Sequence, residues 1–470
     1  MNDELTKEPQ VAIIRKKVKK NALIEGIEKL GGIEQFVKEG DDIFINTPML
    51  LLLGNPNHSH MELLTELIKI LKKNGARKVF IGAFPKTHIS TKLIDQILGL
   101  STYFNSLEAE FVFLDNSDIY SKNSFNEEKI KQIKQATYSD VKIKGKSYKV
   151  PNLLLETEKY IVLNQINVDP IFMCTLSMRC NELISEFGLK KEMEAECNEA
   201  NYRDLNIMND KIISRLIDIN LIRIPDLVIN DMYEILEHAG PLNYYESSMT
   251  NLDALVLGTD SISTDIITLR ILGQNIFENK LIVNVRERGL GPKDLSKIKN
   301  IGESIDNSII NITGCKDLSD INLLNTQIET GDICLRCKKV AYHCLNYLAS
   351  QASKDLKYSP VHSLLIGKNP PDPLYNKDLI LFGDCAIKTT QNSDFRTIKG
   401  KSLFRKKEKE KKNKNILEIE GCPPNFFNFL KQYMKYFGKA SCPNLNYFFK
   451  VLKAYKYSKY QKNLIKWEEL

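Results

Sequence analysis

Four cysteines in the last third of the chain have the spacing of a metal-binding set. Cys334 and Cys337 form a Cys-x-x-Cys loop, Cys385 lies in the sequence FGDCA, and Cys422 opens the segment GCPPN. A Cys-x-x-Cys loop lets two sulfurs converge on one soft metal centre, and Gly and Pro beside the other two cysteines favour tight turns. Thiolates select zinc or an iron–sulfur cluster. We therefore predict one site built from these four cysteines.

The distribution of these cysteines along the chain bears on the metal. Zinc ribbons usually carry two Cys-x-x-Cys pairs, whereas the third and fourth cysteines here are single, after gaps of 47 and 36 residues. This spacing favours a [4Fe–4S] cluster, with zinc as the alternative. Seven of the ten cysteines fall between residues 315 and 442. Clustered cysteines in a reducing compartment are metal ligands more often than disulfides.

The remaining cysteines lack a companion at chelating spacing. Cys344 lies two turns along a helix that would follow Cys337, on an apolar face, so we predict a position in the core. Cys442 precedes a proline and is the alternative ligand if Cys385 is misassigned. Three earlier cysteines are predicted to be small buried side chains: Cys174, Cys180 and Cys197.

The charge of the chain is concentrated in one short segment. Residues 401–414 (KSLFRKKEKEKKNK) hold eight Lys or Arg and two Glu, which is +6 of the formal net charge of +7. The rest of the chain is therefore close to neutral, and we do not expect nucleic acid as a partner, because that normally needs a basic face on the folded body. We predict that this segment is a solvated, flexible loop, with a binding arm as the alternative.

The beginning of the chain lacks the apolar run of an export signal. The longest early apolar run, residues 49–53, is far below the roughly twenty residues that cross a bilayer. We expect a cytoplasmic protein with no membrane span. At 470 residues, two or three folded units are expected.

The first 290 residues have the pattern of an α/β fold. Short β-branched runs alternate with helix-like segments, which predicts a mostly parallel sheet with helices on both faces. One unit is complete: the strand DDIFIN, a helix with a capping box of Ser59 and Glu62, a stop at Gly75, and the strand KVFIG. Further strands are predicted at 11–15, 111–114, 160–164, 226–230 and 252–258.

The domain organisation follows from these patterns. We predict an α/β domain over residues 1–312 and a smaller C-terminal cysteine-rich helical module in two parts, 313–399 and 416–470, separated by the lysine-rich loop at 400–415. In the second part, aromatic residues recur at helical spacing and are expected to pack on a neighbouring element.

Three side chains of the α/β domain are candidate catalytic residues. Asp231 and Asp260 follow predicted strands and are expected at carboxyl ends of strands, where α/β proteins bind ligands. Carboxylates there could bind a hard cation or act as acid and base. The alternative for Asp260 is that it caps the following helix. Arg179 could hold a carboxylate or phosphate, or be purely structural.

A histidine pair, His58 and His60, precedes the predicted helix start. The spacing would suit two metal ligands, but a position in a strand-to-helix loop favours a solvated pair. The sequence contains neither a phosphate-binding loop nor a dinucleotide-binding fingerprint. Nucleotide binding therefore has no direct support.

Five segments, taken in order, resemble the domain-of-unknown-function 362 family. They are DDIFIN, VDPIFMCTLSMRCN, PDLVINDMYEILEHAGP, LVLGTDSISTDIITLRILG and ERGLGPKDL. The family consists of α/β proteins that are often joined to ferredoxin-like iron–sulfur modules. Where the family has a C-terminal extension, it carries a Cys-x-x-Cys, a GDCA-like turn and a GCPP segment, and Cys334, Cys337, Cys385 and Cys422 match these positions. The resemblance implies a cluster site but supplies no reaction.

Two positions depart from the family pattern. Asn167 stands where the family commonly carries a lysine, and Arg179 with the two residues after it replaces a Lys-Asn pair. If the family's lysine binds an anionic substrate, this chain is expected to bind it weakly or to recognise something else.

These observations predict an iron–sulfur protein in which an α/β ligand-binding domain is joined to a single-cluster module. The expected role is redox chemistry, as an oxidoreductase or an electron-transfer component, with a small-molecule ligand or a redox partner protein. The alternative is a zinc-stabilised, non-redox ligand-binding or scaffold protein.

Overall fold

The computed structural model describes most of the chain. The described residues are 8–48, 56–83, 91–114, 138–181, 204–292, 294–374, 378–400, 409–413 and 415–438. Cys197, Cys442 and residues 401–408 and 414 of the lysine-rich segment lie outside them.

The larger of two main sheets contains the strands predicted from the sequence. Its members are β1 (Gln10–Arg15), β2 (Asp42–Asn46), β3 (Lys78–Gly82), β4 (Glu110–Phe111), β7 (Lys159–Gln165), β10 (Leu227–Glu237), β11 (Ser248–Gly258) and β12 (Lys299–Gly302). They are ordered β12-β1-β11-β10-β7-β2-β3-β4. Every neighbouring pair is parallel except the two that β11 makes. The predicted mostly parallel sheet is confirmed.

Helices cover both faces of this sheet, as predicted. One face carries α1 (Lys19–Lys29), α2 (Met61–Lys73), α3 (Thr91–Leu98), α4 (Leu100–Ser106) and α5 (Asn152–Glu156); the other carries α6 (Leu205–Ile222), α7 (Ser261–Ile271), α8 (Lys280–Glu287) and the short α9 (Ile305–Ser308). Alternate residues of β1 divide between the faces, because side chains of a strand point in opposite directions in turn. Ala12 and Ile14 join the first core, whereas Val11 and Ile13 join the second.

The start of α2 corrects one local prediction. The predicted capping box does not form: His60 is the N-cap residue and its side chain does not cap the helix. Instead, the carboxylate of Asp231 accepts the backbone N–H of His60 at 2.9 Å. The predicted end is confirmed, since Gly75 follows the helix with φ +97°. A distant strand, and not a local capping box, therefore provides the acceptor for the backbone N–H at the start of this helix.

The C-terminal region is a second α/β unit, which corrects the predicted helical module. Its sheet contains β13 (Thr326–Thr330), β14 (His362–Ile366), β15 (Leu379–Phe382) and β18 (Ile416–Ile419), all parallel and in that order. The helices are α10 (Leu335–Gln351), α11 (Ser353–Leu356), α12 (Gly383–Thr389) and α13 (Phe426–Tyr436). The predicted packing of the aromatic residues is confirmed where they are described, because Phe429 and Tyr433 are fully buried in this core. Cys344 also lies there, as predicted.

Three antiparallel pairs complete the description. They are β5 (Tyr138–Ile143) with β6 (Lys146–Pro151), β8 (Val168–Asp169) with β9 (Met173–Cys174), and β16 (Thr397–Gly400) with β17 (Lys409–Lys412). The last pair corrects the prediction of a continuous loop, because part of the lysine-rich segment is a strand. No helix in the described ranges combines the length and apolar composition that a bilayer crossing needs.

Each unit contributes side chains to the hydrophobic core of the other. Leu335, at the start of α10, packs in the second core of the large unit, whereas Ala239 and Tyr244, after β10, pack in the core of the small unit. Tyr244 also hydrogen-bonds His343 of α10 at 2.5 Å between the phenol oxygen and Nδ1. The units therefore share buried contacts.

Candidate functional site

The four predicted ligand cysteines line one small cavity at the carboxyl ends of the C-terminal strands. Cys334 and Cys337 follow β13 and begin α10, Cys385 lies in α12 after β15, and Cys422 follows β18. Parallel strands place the loops that follow them at the same edge of a sheet. Sequence positions 88 residues apart therefore meet, and the cavity also touches Leu205 of α6.

Tight glycine turns allow these loops to approach one another. Gly383 has φ +84° and Gly421 has φ +132°, a region that residues with a Cβ rarely adopt. A Cβ on Gly421 would lie 2.7 Å from Cα of Pro424. The GDCA and GCPP turns are also joined by two hydrogen bonds, from the Asp384 N–H to the Gly421 carbonyl at 3.1 Å and from the Gly421 N–H to Oδ1 of Asp384 at 2.8 Å.

The four sulfurs are close enough to change one another's pKa. A hydrogen bond from Cys337 lowers the pKa of Cys334 to about 7. The hydrogen bonds of Cys337 to Cys334 and Cys422, together with burial, raise its own pKa well above the usual value. Burial, with the charges of Cys422 and Cys334, raises the pKa of Cys385 to about 11. Four thiolates would therefore repel one another unless a cationic centre joined them.

Three of the four predicted ligand cysteines are buried, and all four are free thiols. Cys334, Cys337 and Cys385 are at most 8% exposed, and Cys422 is partly exposed. None of the eight described cysteines forms a disulfide. Among the described residues, no group of three or more His, Cys, Asp or Glu is arranged as a metal ion requires. The four thiols thus share a cavity without having the closed geometry of a bound ion.

A second polar site lies at the carboxyl edge of the large sheet, around Asp231. This carboxylate is fully buried and accepts hydrogen bonds from the backbone N–H and Nδ1 of His60, both at 2.9 Å, and from the Tyr233 N–H at 3.1 Å. Burial would raise the pKa of Asp231, but the charge and hydrogen bonds of His60 lower it. Asp231 is level with the end of β7, where it pairs with Gln165.

The two histidines that precede α2 are buried, so the prediction of a solvated pair was wrong. His58 is 3% and His60 is 6% exposed. Nδ1 of His58 lies 2.7 Å from the Ser59 carbonyl oxygen. Burial lowers the pKa of His58 to about 4. Burial also acts to lower the pKa of His60, but the charge and hydrogen bond of Asp231, with the charge of Glu234, together raise it. Loop position alone gave no signal of this burial.

Asp260 follows its strand, as predicted, but lies at the opposite edge of the sheet from Asp231. Because β11 runs antiparallel to β10, Gly258 at its end pairs with Val228 near the start of β10, whereas Asp231 pairs with Leu255. Asp260 is five residues beyond Leu255, about 16 Å along an extended strand, and lies at the opposite edge. There it caps α7 by accepting the Ser263 N–H at 2.8 Å. Burial raises its pKa.

Arg179 is held in a buried ion pair with Asp169. One guanidinium nitrogen donates to the Asp169 carboxylate, and the guanidinium carbon lies 5.3 Å from the centre of the Phe172 ring. Asp169 also accepts the backbone N–H groups of Ile171 and Phe172. These contacts position the loop after β8, and they do not join Arg179 to Asp231 or Asp260.

Buried polar side chains of β2 and α7 bind the backbone of residues 177–180. Asn46, at the end of β2, donates to the phenol oxygen of Tyr160 at 2.9 Å and to the Cys180 carbonyl at 3.0 Å. Asp265 of α7 accepts the N–H groups of Ser177 and Met178 at 2.8 and 3.0 Å, and burial raises its pKa to about 6. This network is structural, since each carboxylate and amide bonds another part of the chain.

Asn167, at the position of the family's lysine, is also engaged in loop contacts. Its amide donates to the Pro56 carbonyl at 2.7 Å, and its Oδ1 accepts the Leu236 N–H at 2.8 Å. The nearby Gly240 approaches the backbone of Val168, where a Cβ would lie 2.2 Å from the carbonyl oxygen. Glycine is therefore required at position 240 of the HAGP turn, because a side chain there would clash with Val168.

The fold and these sites define an α/β protein with a cysteine-lined cavity in its C-terminal unit. Residues 48–270 match the family model for a domain of unknown function, DUF362. The resemblance to this family noted in the sequence is confirmed over that segment. The cysteine-rich region lies beyond the matched residues. No curated protein matches the chain.

Proposed function

We propose that this protein binds a [4Fe–4S] cluster through Cys334, Cys337, Cys385 and Cys422 and serves redox chemistry, as an oxidoreductase or an electron-transfer component. The observation that carries the proposal is the convergence of all four on one cavity. They come from three strand ends of one parallel sheet, and four thiols are the commonest donor set for such clusters.

The surroundings of the cavity support this proposal. Three of the four cysteines are buried, and Ile333, Phe382 and Leu205 contribute apolar walls. Apolar walls limit access of water, which is one factor that sets the reduction potential of a cluster. When bound, a cluster of this type would accept and release one electron at a time.

The partner of this site would approach near Cys422. It is the most exposed of the four ligands, and so the corresponding edge of the cavity offers the shortest route to a redox partner protein. A reducing compartment such as the cytoplasm suits eight described cysteines without a disulfide. The carboxyl edge of the large sheet, around Asp231, would then bind a small-molecule ligand.

Purification without oxygen tests the proposal. We expect a brown protein with close to four iron and four sulfide per chain, and variants Cys334→Ser, Cys385→Ser and Cys422→Ser that lose most of both. Cys344→Ala is the matched control, because it removes a sulfur from the same helix as Cys337 without touching the cavity, and it should retain iron and colour.

Two results would contradict the proposal. A colourless protein with one zinc per chain would show that the same thiolates stabilise the fold without redox chemistry. Equal loss of iron in Cys344→Ala and Cys385→Ser would show that the effect is general instability and not ligand removal.

A further inference from the structure

One imidazole nitrogen of His60 has no hydrogen-bond partner among the described residues. Nδ1 is bound to Asp231, but Nε2 is buried and makes no hydrogen bond to any described residue. The nearest carboxylate oxygen is Oε2 of Glu234, 3.4 Å away and not aligned for a hydrogen bond. Buried polar atoms are normally paired, so an unpaired one calls for an explanation, and a catalytic role is one such explanation.

The contacts of His60 set its tautomer. Asp231 is an acceptor at both of its contacts with His60, so Nδ1 carries the hydrogen and the lone pair is on Nε2. A buried carboxylate that orients an imidazole in this way also stabilises the imidazolium that forms when Nε2 takes a proton. Asp231 is fixed in turn by the Tyr233 N–H.

We infer that His60 is a proton-transfer residue for a small ligand at the carboxyl edge of the large sheet, and that Asp231 is its positioning residue. The ligand class is a neutral or cationic molecule with a hydroxyl or amine proton. In the step, that proton moves to Nε2 and the bonding electron pair stays on the ligand's oxygen or nitrogen. No oxidant or reductant is needed, and the inference does not depend on the cysteine site.

The charges around His60 decide the ligand class. Asp231 and Glu234 both favour a positive imidazole, whereas Lys19 opposes it. Lys19 lies 3.7 Å from Glu62 and over the ring of Tyr233, so its charge is already balanced. His58, on the same loop, is kept neutral by burial. Carboxylates therefore dominate, and they repel anionic ligands.

The contacts of Arg179 and Asn167 also disfavour an anionic ligand. The guanidinium of Arg179 is paired with Asp169, and Asn167 bonds backbone carbonyls with its amide. Neither supplies the binding charge that an anionic carboxylate or phosphate ligand would need at this edge.

Nitrogen NMR of the full chain with ¹⁵N-labelled histidine tests the inference. We expect His60 to carry its hydrogen on Nδ1 above its pKa, and Asp231→Asn to lower that pKa by about one unit or more. Glycerol and ethanolamine should shift the Nε2 resonance, whereas acetate and inorganic phosphate should not. His58→Gln is the matched control on the same loop and should leave the His60 response unchanged.

A second variant keeps the test available if Asp231→Asn does not fold. Glu234→Gln alters a partly exposed side chain and should lower the pKa of His60 while its Nε2 still responds to glycerol and ethanolamine. A protected Nε2–H with no response to any probe would identify a closed structural pair and overturn the inference. Response to acetate and phosphate alone, or to zinc chloride alone, would overturn it as well. Iron content reports separately on the cysteine site.

Discussion

The side-chain oxygen of Asn209 accepts a hydrogen bond of 2.8 Å from the backbone N–H of Leu335, the residue after Cys334. Cys334 is the N-cap residue of α10 and forms no side-chain cap of its own. An amide from α6 of the large unit therefore satisfies one of the N–H groups that a helix start leaves open. One turn earlier in α6, Leu205 lines the thiol cavity. The large unit thus helps to position the Cys-x-x-Cys loop.

Replacement of Asn209 should weaken both the unit boundary and the cysteine site. Asn209→Ala leaves the Leu335 N–H buried without an acceptor, which costs about 1–3 kcal/mol of unfolding free energy. We expect lower thermal stability and faster loss of bound iron to a chelator. Asn209→Asp keeps an acceptor oxygen and should retain iron. Equal iron loss in both variants would show that the hydrogen bond is not what positions the loop.

The sequence predicted the strands of the large sheet because each is a short apolar run bounded by polar or Gly residues. Ile43 and its neighbours in β2, for example, are completely buried, as parallel strands covered on both faces must be. The convergence of the four cysteines on one cavity was expected from the Cys-x-x-Cys spacing and from the Gly and Pro beside the other two. The parallel strands that bring them to one edge were not expected.

Strand direction was not predictable from the same pattern. An apolar run such as residues 252–258 looks alike in either direction, and only pairing with β1 and β10 makes β11 antiparallel. Asp260 was therefore placed at the wrong edge. The contact of His60 with Asp231 spans 171 residues, and no local spacing encodes it. The C-terminal sheet was missed. Its strands have four or five residues, and apolar runs of this length, like those of β2 and β3, can be told from helix segments only by the elements beside them.

The turn before Cys422 should not tolerate a side chain. Gly421→Ala would place a Cβ 2.7 Å from Cα of Pro424 at φ +132°, and such strain costs of order 1–3 kcal/mol. We expect a lower midpoint in urea unfolding and reduced iron retention. Gly314→Ala is the control, because its Cβ would have no atom within 4 Å. Unchanged iron and stability in Gly421→Ala would show that this turn is not tightly constrained.

Asp260 should behave as a helix cap and not as an acid or base. Asp260→Ala removes the acceptor for the Ser263 N–H, and loss of a cap costs about 0.5–2 kcal/mol. Asp260→Asn keeps a capping oxygen and should retain stability measured by urea unfolding. It should also leave the His60 resonances of the NMR experiment unchanged, since the two residues lie at opposite edges. A shift of those resonances in Asp260→Asn would contradict this separation.

His58 should make the protein less stable in mild acid. Burial lowers its pKa from 6.5 to about 4. The unfolded chain therefore binds a proton near pH 6.5, whereas the folded chain binds it only near pH 4. Stability is therefore complete above pH 6.5 and declines as the pH falls through this window. At pH 5 the loss is about 2 kcal/mol. His60 has a raised pKa and acts in the opposite direction, because its proton uptake favours the folded state.

Urea unfolding of the native protein and of His58→Gln at pH 7.5 and pH 5 isolates the effect of His58. The variant should lose about 2 kcal/mol less than the native protein between the two conditions, and equal losses would show that His58 does not titrate as a buried neutral group.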